Sequence, residues 1–252
     1  MLLFCNKLFI YNDIENGKVV TRIFDLGKNE IVLNHPGTFQ ALSKNGDIVA
    51  FLNNDKFRKY RPDYSFAGEE GLLMVDELCS FYKLQISKTN KPSLKKNSTF
   101  KSIYKDNETI SGEKINHVLF SPNGMKAICL RRSWQNKVKM HSLELLMLDG
   151  STKILMRGQL VSHYCWANDE EVLFWGIVNE SKGYHLININ SLKITINALG
   201  LSTMGDGHPS KRQDGYLTDS YPNRSGFANL YFLKDDTQHT DIIGKFFQPL
   251  YY

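Results

Sequence analysis

A histidine-bearing pattern recurs at a nearly constant interval along this chain. His117, His163 and His208 lie 46 and 45 residues apart, and each stands seven residues before the end of a turn-forming segment. The three turns are Pro-Asn-Gly at 122–124, Asn-Asp-Glu at 168–170 and Gln-Asp-Gly at 213–215. A fourth turn, at 44–46, has Phe39 in the position that histidine takes elsewhere. A period near 45 residues with a tight turn after the first strand is typical of the four-stranded blade of a β-propeller.

Short segments rich in β-branched and aromatic residues follow each turn, which is a strand and hairpin signal. The later repeats contain such segments at 127–130, 143–148, 153–156, 172–175, 185–189, 194–196, 216–218, 230–233 and 241–244. The earlier repeats contain them at 39–52, 72–75 and 82–86, preceded by 8–11, 19–24 and 31–33. The last three predict the outer strands of a first unit whose inner strand is largely missing.

The repeats predict an all-β chain folded as a β-propeller of four-stranded antiparallel blades, in a single domain over 1–252. About four to five blades are present, and the stretch 88–110 is predicted to be an insertion loop between blades. Four blades and part of a fifth leave sheet edges open, and open edges invite aggregation. We therefore expect a chain truncated at both ends, or one that a partner completes.

Net charge, the length of apolar runs and the cysteine spacing limit which partners and which cellular compartment the sequence predicts. The formal net charge of +5 is too small for a dedicated nucleic-acid binder, so no nucleic-acid partner is predicted. No apolar run is long enough for a membrane span or a signal peptide, and the four cysteines show no close pair spacing. These features predict a cytoplasmic protein with free thiols. The sequence also lacks a phosphate-binding glycine loop, a G-x-S-x-G elbow and an H-E-x-x-H pair.

Several segments resemble one known family. They are His-Tyr-Cys-Trp at 163–166, the segment 117–122, Asp-Gly-His-Pro-Ser at 206–210 and Leu-Thr-Asp-Ser-Tyr-Pro at 217–222. Together they resemble the oligogalacturonate-lyase type of β-propeller, and still more its relatives encoded among surface-polysaccharide genes, in which a stretch like 50–68 is also recognisable. The resemblance implies a propeller of seven blades that holds a divalent cation, manganese in the lyases, mainly through histidines. The reaction it implies is β-elimination across a uronic-acid linkage.

The resemblance also assigns residues. His117 falls at the position of the catalytic base, and His163 falls at that of a metal ligand, with His208 as a second metal candidate. Arg131 or Arg132 is predicted to meet the substrate carboxylate, since a guanidinium fork suits a planar oxyanion.

Arg58, Arg61 and Trp166 are candidates for binding the saccharide. The family's further metal ligands come from a later segment that this sequence does not show, so whether the chain is an enzyme stays open.

Other interpretations remain for the same residues. The inner-strand histidines can be structural, Trp166 can be core between sheets, and Arg58 and Arg61 can brace their loop. Two functions therefore stand side by side. The first is a carbohydrate-related propeller that binds or cleaves acidic saccharides in surface-polysaccharide metabolism, and the second is a non-catalytic propeller that docks another protein.

Overall fold

The computed structural model describes residues 3–5, 7–53, 77–87, 91–104, 107–158, 160–196, 198, 205–234 and 240–248. These residues form five four-stranded antiparallel sheets and contain no helix. The predicted fold class is therefore confirmed. It follows that the described part of the chain holds no helix of the length and apolarity that crossing a bilayer requires.

The chain divides into two compact units, Met1–Ile154 and Leu155–Tyr252. Sheet 1 contains β1 (Leu3–Cys5), β2 (Leu8–Glu15), β3 (Lys18–Asp25) and β4 (Glu30–Pro36). Sheet 2 contains β5 (Thr38–Leu42), β6 (Ile48–Leu52), β7 (Glu77–Ile86) and β8 (Pro92–Lys101). Sheet 3 contains β9 (Ile110–Phe120), β10 (Lys126–Gln135), β11 (Val138–Met147) and β12 (Thr152–Gly158).

The second unit contains the remaining two sheets. Sheet 4 contains β13 (Val161–Trp166), β14 (Glu171–Val178), β15 (Ser181–Asn188) and β16 (Ile194–Thr195). Sheet 5 contains β17 (Ser210–Arg212), β18 (Gly215–Asp219), β19 (Phe227–Lys234) and β20 (Thr240–Phe247). Each sheet is a meander in which every strand pairs with the next along the chain.

The repeated turns close the first hairpin of sheets 2 and 3 with the same geometry. The amide of Gly46 donates to the carbonyl of Ser43 at 2.8 Å, and the amide of Gly124 donates to that of Ser121 at 2.8 Å. Both glycines have a φ of +72°, a conformation that costs other residues steric strain. These turns therefore fix where the first two strands of each sheet begin and end.

Apolar side chains fill the space between neighbouring sheets within each unit. Phe81 and Phe100 of sheet 2 pack with Phe120 of sheet 3, and all three are buried. In the second unit, Trp175 and Tyr184 of sheet 4 pack with Tyr216 and Leu233 of sheet 5. The alternation of buried and exposed residues along each strand thus forms one core per pair of sheets.

One predicted loop is a strand. The stretch 88–110 was expected to be an insertion, yet Pro92–Lys101 forms β8 and pairs along most of its length with β7. Only Pro92, Ser98 and Phe100 of β8 are buried, so its polar sequence hides the alternation that marks a strand. The predicted segment 82–86 belongs to β7 rather than to the outermost strand, and 72–75 lies outside the described residues.

Candidate functional site

His163 is placed by an irregularity in the inner strand of sheet 4. Val161 pairs with Gly176 and Tyr164 pairs with Phe174, so Ser162 and His163 together lie opposite Trp175. Two residues opposite one constitute a β-bulge, which re-aims side chains and is frequent beside functional sites. The bulge turns Ser162 and His163 out of the regular alternation of the strand.

The inner strands of sheets 2 and 3 carry the same irregularity within one residue of the repeated position. In sheet 2 the extra residue is Gln40, and in sheet 3 His117 and Val118 together oppose Cys129. His117 has a φ of +53°, a left-handed conformation that is uncommon for residues other than glycine. A bulge therefore recurs at or beside this position in sheets 2, 3 and 4.

The His163 imidazole is held by a carboxylate from the segment that precedes β17 of sheet 5. Its Nδ1 lies 2.9 Å from Oδ1 of Asp206, and the hydroxyl of Ser162 donates to Oδ2 of the same carboxylate at 2.5 Å. The side chains of His163 and Asp206 are 13% and 21% exposed. The ring is thus fixed in orientation while its edge stays near solvent.

His208 is held in the same way by Asp219. Its Nδ1 lies 2.9 and 3.0 Å from the two carboxylate oxygens, and its backbone amide donates to Oδ1 of Asp219 at 2.6 Å. Gly207 makes this approach possible, since a Cβ there would lie 1.9 Å from the carbonyl oxygen of Asp219. Any other residue at 207 would push the backbone away from the end of β18.

The two rings meet. Their centroids are 4.0 Å apart with an interplanar angle of 46°, and the ring of Tyr221 lies 6.2 Å from His163 and 6.0 Å from His208. The side chain of His208 is 57% exposed, and Tyr221 is also 57% exposed. We call His163 and His208, with Asp206 and Asp219 behind them, the histidine pair.

The chemistry of the histidine pair follows from the carboxylates behind it. A carboxylate accepts a hydrogen bond from Nδ1–H, which leaves Nε2 as the nitrogen with the lone pair in a neutral imidazole. This arrangement occurs in catalytic triads, where the carboxylate fixes the tautomer, and behind metal-ligating histidines. The pair is therefore suited to proton transfer, to hydrogen bonding of a ligand, or to a cation.

Two buried hydroxyl groups lie next to the carboxylates of the histidine pair. The hydroxyls of Tyr184 and Thr218 are 2.8 Å apart, and Thr218 precedes Asp219 on β18. Burial raises the pKa of Tyr184, and the nearby charges of Asp206 and Asp219 raise it further, against the hydrogen bond from Thr218. Tyr184 therefore remains a neutral phenol that ties sheet 4 to sheet 5.

The described residues form no complete metal centre. Among them, no group of three or more His, Cys, Asp or Glu side chains is arranged to hold a metal ion. Protein sites for divalent transition metals usually take three or four ligands. His163 and His208 would hold such a cation, but two imidazoles do not form a closed site, and we derive no reaction step through a metal.

His117 and Arg132 come together in the first unit, around Asn116. With the amide of Asn116 turned so that its nitrogen donates to the carbonyl of Leu130, its oxygen accepts from Nε2 of His117 at 3.2 Å and from an Nη of Arg132 at 3.0 Å. Nε of Arg132 also lies 3.4 Å from Nδ1 of His141. The predicted roles of His117 and Arg132 as base and carboxylate contact remain predictions.

Arg131 is buried in an ionic cluster. Its Nε donates to Oε2 of Glu144 at 2.8 Å and its Nη1 to Oε1 of Glu113 at 2.5 Å, and the side chains of Arg131, Glu113 and Glu144 are 4%, 0% and 2% exposed. Burial lowers the pKa of Arg131, but the charge and hydrogen bond of Glu144, together with the charge of Glu113, oppose this, and the pKa is raised. We call these three residues the Arg131 cluster, and its position explains Arg131 without a substrate.

Of the remaining predicted residues, Trp166 lies among the described residues. Trp166 is 5% exposed and belongs to the buried end of β13, where a sugar ring has no room to stack. Arg58 and Arg61 lie outside the described residues.

Sequence reasoning missed the two aspartates. The segments 206–210 and 217–222 were singled out, but no role was assigned to Asp206 or Asp219. The available signal was an aspartate two residues before a repeat histidine. Asp219 gave no such signal, because its contact with His208 depends on the close approach at Gly207.

No family model matches this chain, and no curated protein matches it. Solved structures do. An oligogalacturonate lyase in complex with manganese superposes with a TM-score of 0.59 at 9% identity, covering 95% of this chain and 62% of the lyase. The putative TolB from Agrobacterium tumefaciens gives 0.51 at 14% identity, covering 90% and 70%, and a prolyl endopeptidase gives 0.53 at 9%, covering 95% and 34%.

These similarities show the fold. The chain is built from β-propeller blades, and it spans 62% of the length of the lyase that it matches. Propellers with different activities match it at low identity, so the function must be argued from the site. The site is the histidine pair.

Proposed function

We propose that this chain binds acidic, uronate-containing saccharides at the histidine pair. The observation that carries the proposal is the contact between an imidazole of sheet 4 and one from the segment that leads into sheet 5, each oriented by its own carboxylate. An imidazole donates or accepts hydrogen bonds according to its protonation, so the pair can meet both the carboxylate and the hydroxyls of a uronic acid. The likeness of the fold to a solved oligogalacturonate lyase supports this ligand class.

Tyr221 adds a surface on which a sugar ring can rest. Its ring lies about 6 Å from both imidazoles and more than half of it is exposed. Aromatic side chains combine an apolar face with a polar tip, which suits the mixed surface of a pyranose. Saccharide bound across the imidazoles would extend over Tyr221.

The proposal extends from binding of the saccharide to its cleavage by β-elimination. It requires a base that removes the proton α to the carboxylate, and an imidazole with a carboxylate at Nδ1 accepts a proton at Nε2. Manganese, when bound, would neutralise the charge that develops on the carboxylate. Binding is the part that the histidine pair supports directly, and a lyase assay tests the rest.

The test is isothermal titration calorimetry with trigalacturonate, with and without manganese, using maltotriose as a neutral ligand. We expect the wild-type chain to bind the acidic trisaccharide and not the neutral one. His163→Ala and His208→Ala should each weaken binding at least tenfold while circular dichroism stays unchanged. Lys193→Ala is the control, because it removes an exposed positive charge from the same unit.

Two results would refute the proposal, and manganese binding has a test of its own. Wild-type protein that ignores trigalacturonate in both buffers would refute the proposal, as would histidine variants that bind like wild type. Elemental analysis of the purified chain tests manganese separately. A divalent ion present in the wild type and lost in the double histidine variant would support the predicted metal site.

A further inference from the structure

The hydroxyl of Ser162 contacts both His163 and the carboxylate that holds it. It donates to Oδ2 of Asp206 at 2.5 Å and lies 3.2 Å from Nδ1 of His163. A distance of 2.5 Å lies in the range of hydrogen bonds from a hydroxyl to an ionised carboxylate, which are stronger than those between neutral groups. Ser162 is 8% exposed, so water competes little for these contacts.

The bulge in β13 explains how two successive residues reach one carboxylate. In a regular strand, successive side chains point to opposite faces of the sheet. Ser162 and His163 are successive, yet both contact Asp206. They can do so because the bulge places them together opposite Trp175 and breaks the alternation at that point.

The contacts favour one arrangement of protons. Oδ1 of Asp206 lies 2.9 Å from Nδ1 of His163, and an ionised carboxylate only accepts, so Nδ1 carries the proton. Ser162 then gives its single proton to Oδ2, and each carboxylate oxygen accepts a hydrogen bond. If Ser162 donated to Nδ1 instead, the lone pairs of Nδ1 and Oδ1 would face each other, which is unfavourable.

The two carboxylates of the histidine pair are fixed in different ways. Asp219 is the last residue of β18, and its carboxylate accepts from the backbone amide of His208 as well as from the ring. Asp206 lies in the segment before β17, which begins at Ser210. Its carboxylate is tied to sheet 4 by the hydroxyl of Ser162. A side chain thus does for Asp206 what a backbone amide does for Asp219.

We propose that Ser162 is a positioning residue for saccharide binding. It holds Asp206 so that the carboxylate keeps the proton of the neutral His163 ring on Nδ1. Nε2 is then the acceptor nitrogen of that ring, which suits a hydroxyl donor of the saccharide. The effect on the saccharide rests on the proposed function, whereas the effect on the ring does not depend on any ligand.

Nitrogen-15 NMR of the ligand-free chain at about pH 8 measures the effect on the ring, because a histidine is mostly neutral there. We expect wild-type His163 to be mainly in the Nδ1–H form. Ser162→Ala should shift the ring to a mixture of the two tautomers, and Ser162→Thr, which keeps a hydroxyl, should resemble the wild type. Ser102→Ala is the matched control, since it also removes a hydrogen bond from a hydroxyl to a carboxylate, that of Glu113, and should leave His163 unchanged.

Calorimetry with trigalacturonate measures the effect on binding. Ser162→Ala should weaken binding about tenfold, which is the size usual for the loss of a group that orients a ligand-binding histidine. In an Asp206→Asn background, the same substitution should weaken binding by less than about twofold, because a residue that acts through the Asp206 charge then has no charge to hold. Ser162→Thr should bind like the wild type.

Three results would overturn the assignment. They are a wild-type His163 mainly in the Nε2–H form, a Ser162→Ala chain that keeps the wild-type tautomer, and an undiminished loss in the Asp206→Asn background. The first is measured on the wild type, and Ser162→Cys, whose thiol is a weak donor, should shift the tautomer in the same direction if Ser162→Ala does not fold. A wild type that ignores trigalacturonate would refute the proposed function alone, because the NMR measurements involve no saccharide.

Discussion

The Arg131 cluster and the histidine pair use the same kinds of side chain, and they differ in how much water reaches them. The three side chains of the cluster are at most 4% exposed, whereas those of His208 and Asp219 are 57% and 43% exposed. In the cluster, each charge is compensated by another charge of the protein. In the histidine pair, a carboxylate orients each ring, and the side chain of His208 is more than half exposed.

The comparison shows that a functional residue is recognised by what its partners leave available. Arg131 and Arg132 are adjacent in sequence and looked equivalent as carboxylate contacts. The guanidinium of Arg131 points into the interior toward Glu113 and Glu144, while that of Arg132 lies on the other side of β10 beside Asn116. One position along a strand separates a structural ion pair from a candidate binding residue.

The largest expected effect comes from breaking the Arg131 cluster. Arg131→Met leaves Glu144 buried with no remaining partner among the described residues, while Glu113 keeps the amides of Ile103 and Tyr104. We expect the free energy of unfolding to fall by about 3–5 kcal/mol. Urea denaturation followed by circular dichroism measures it.

A second substitution makes that result specific. The double variant Arg131→Met, Glu144→Leu should recover much of the loss, because no unpaired charge remains at Glu144. Arg132→Met is the control and should cost far less. A loss for Arg131→Met below that of Arg132→Met would contradict the structural role.

Gly207→Ala should disrupt the histidine pair, because the added methyl group forces the backbone before His208 to move. The new Cβ would lie 1.9 Å from the carbonyl oxygen of Asp219 and 2.7 Å from Oγ1 of Thr218, so the segment must move. We expect a loss of about 1–3 kcal/mol in stability and loss of trigalacturonate binding. Gly205→Ala is the control, since its Cβ would meet nothing within 4 Å. Equal behaviour of the two variants would argue against the close approach.

Asp219→Asn should weaken binding without unfolding the chain. The amide keeps the shape of the carboxylate but no longer holds Nδ1–H of His208 through a charge, so the ring loses its fixed tautomer. We expect roughly tenfold weaker trigalacturonate binding, measured by calorimetry, and a changed tautomer ratio for His208 in nitrogen-15 NMR spectra. Asp214→Asn, in the turn before β18, should change neither quantity.

The smallest effect is a dependence of stability on pH that comes from a histidine away from the site. Burial lowers the pKa of His185 below its usual 6.5, and the carbonyls of Gly176 and Ser181 only partly oppose this shift. The unfolded chain then binds more protons, so stability falls as the pH drops below about 6.5.

Urea denaturation between about pH 7.5 and about pH 5.5 should show this fall, and His185→Phe should reduce its slope. Burial also lowers the pKa of His35, so some slope should remain in that variant. A wild-type stability that rises on acidification would contradict the assignment.

Much of the fold was available from the sequence because turns and strand cores carry local signals. The hairpins closed near Asn45 and Asn123 were predicted at their observed places, since glycine follows each asparagine and apolar strands flank them. β8 was not predicted, because an edge strand needs few buried residues and this one is mostly polar. Local pattern thus detected segments in the other four outer strands and missed the one whose sequence is mostly polar.

The site was only partly predictable. The spacing of His163 and His208 singled out both residues, but their contact depends on Asp206, Asp219 and Gly207, whose roles arise only when sheets 4 and 5 pack. The burial of Arg131 was likewise hidden, since it depends on two glutamates from neighbouring strands of the same sheet. Contacts between distant residues are what single positions in a sequence do not encode.

The repeated bulge of the inner strands has a consequence for how such chains diversify. Because the extra residue near positions 40, 117 and 163 stands outside the regular pairing, its side chain can change without disturbing the register of the strand on either side. The bulge contains glutamine in one repeat and histidine in two others, and the backbone there tolerates a left-handed φ at His117. A duplicated ancestral unit can therefore acquire a different ligand in each copy, one substitution at a time, while every copy continues to fold.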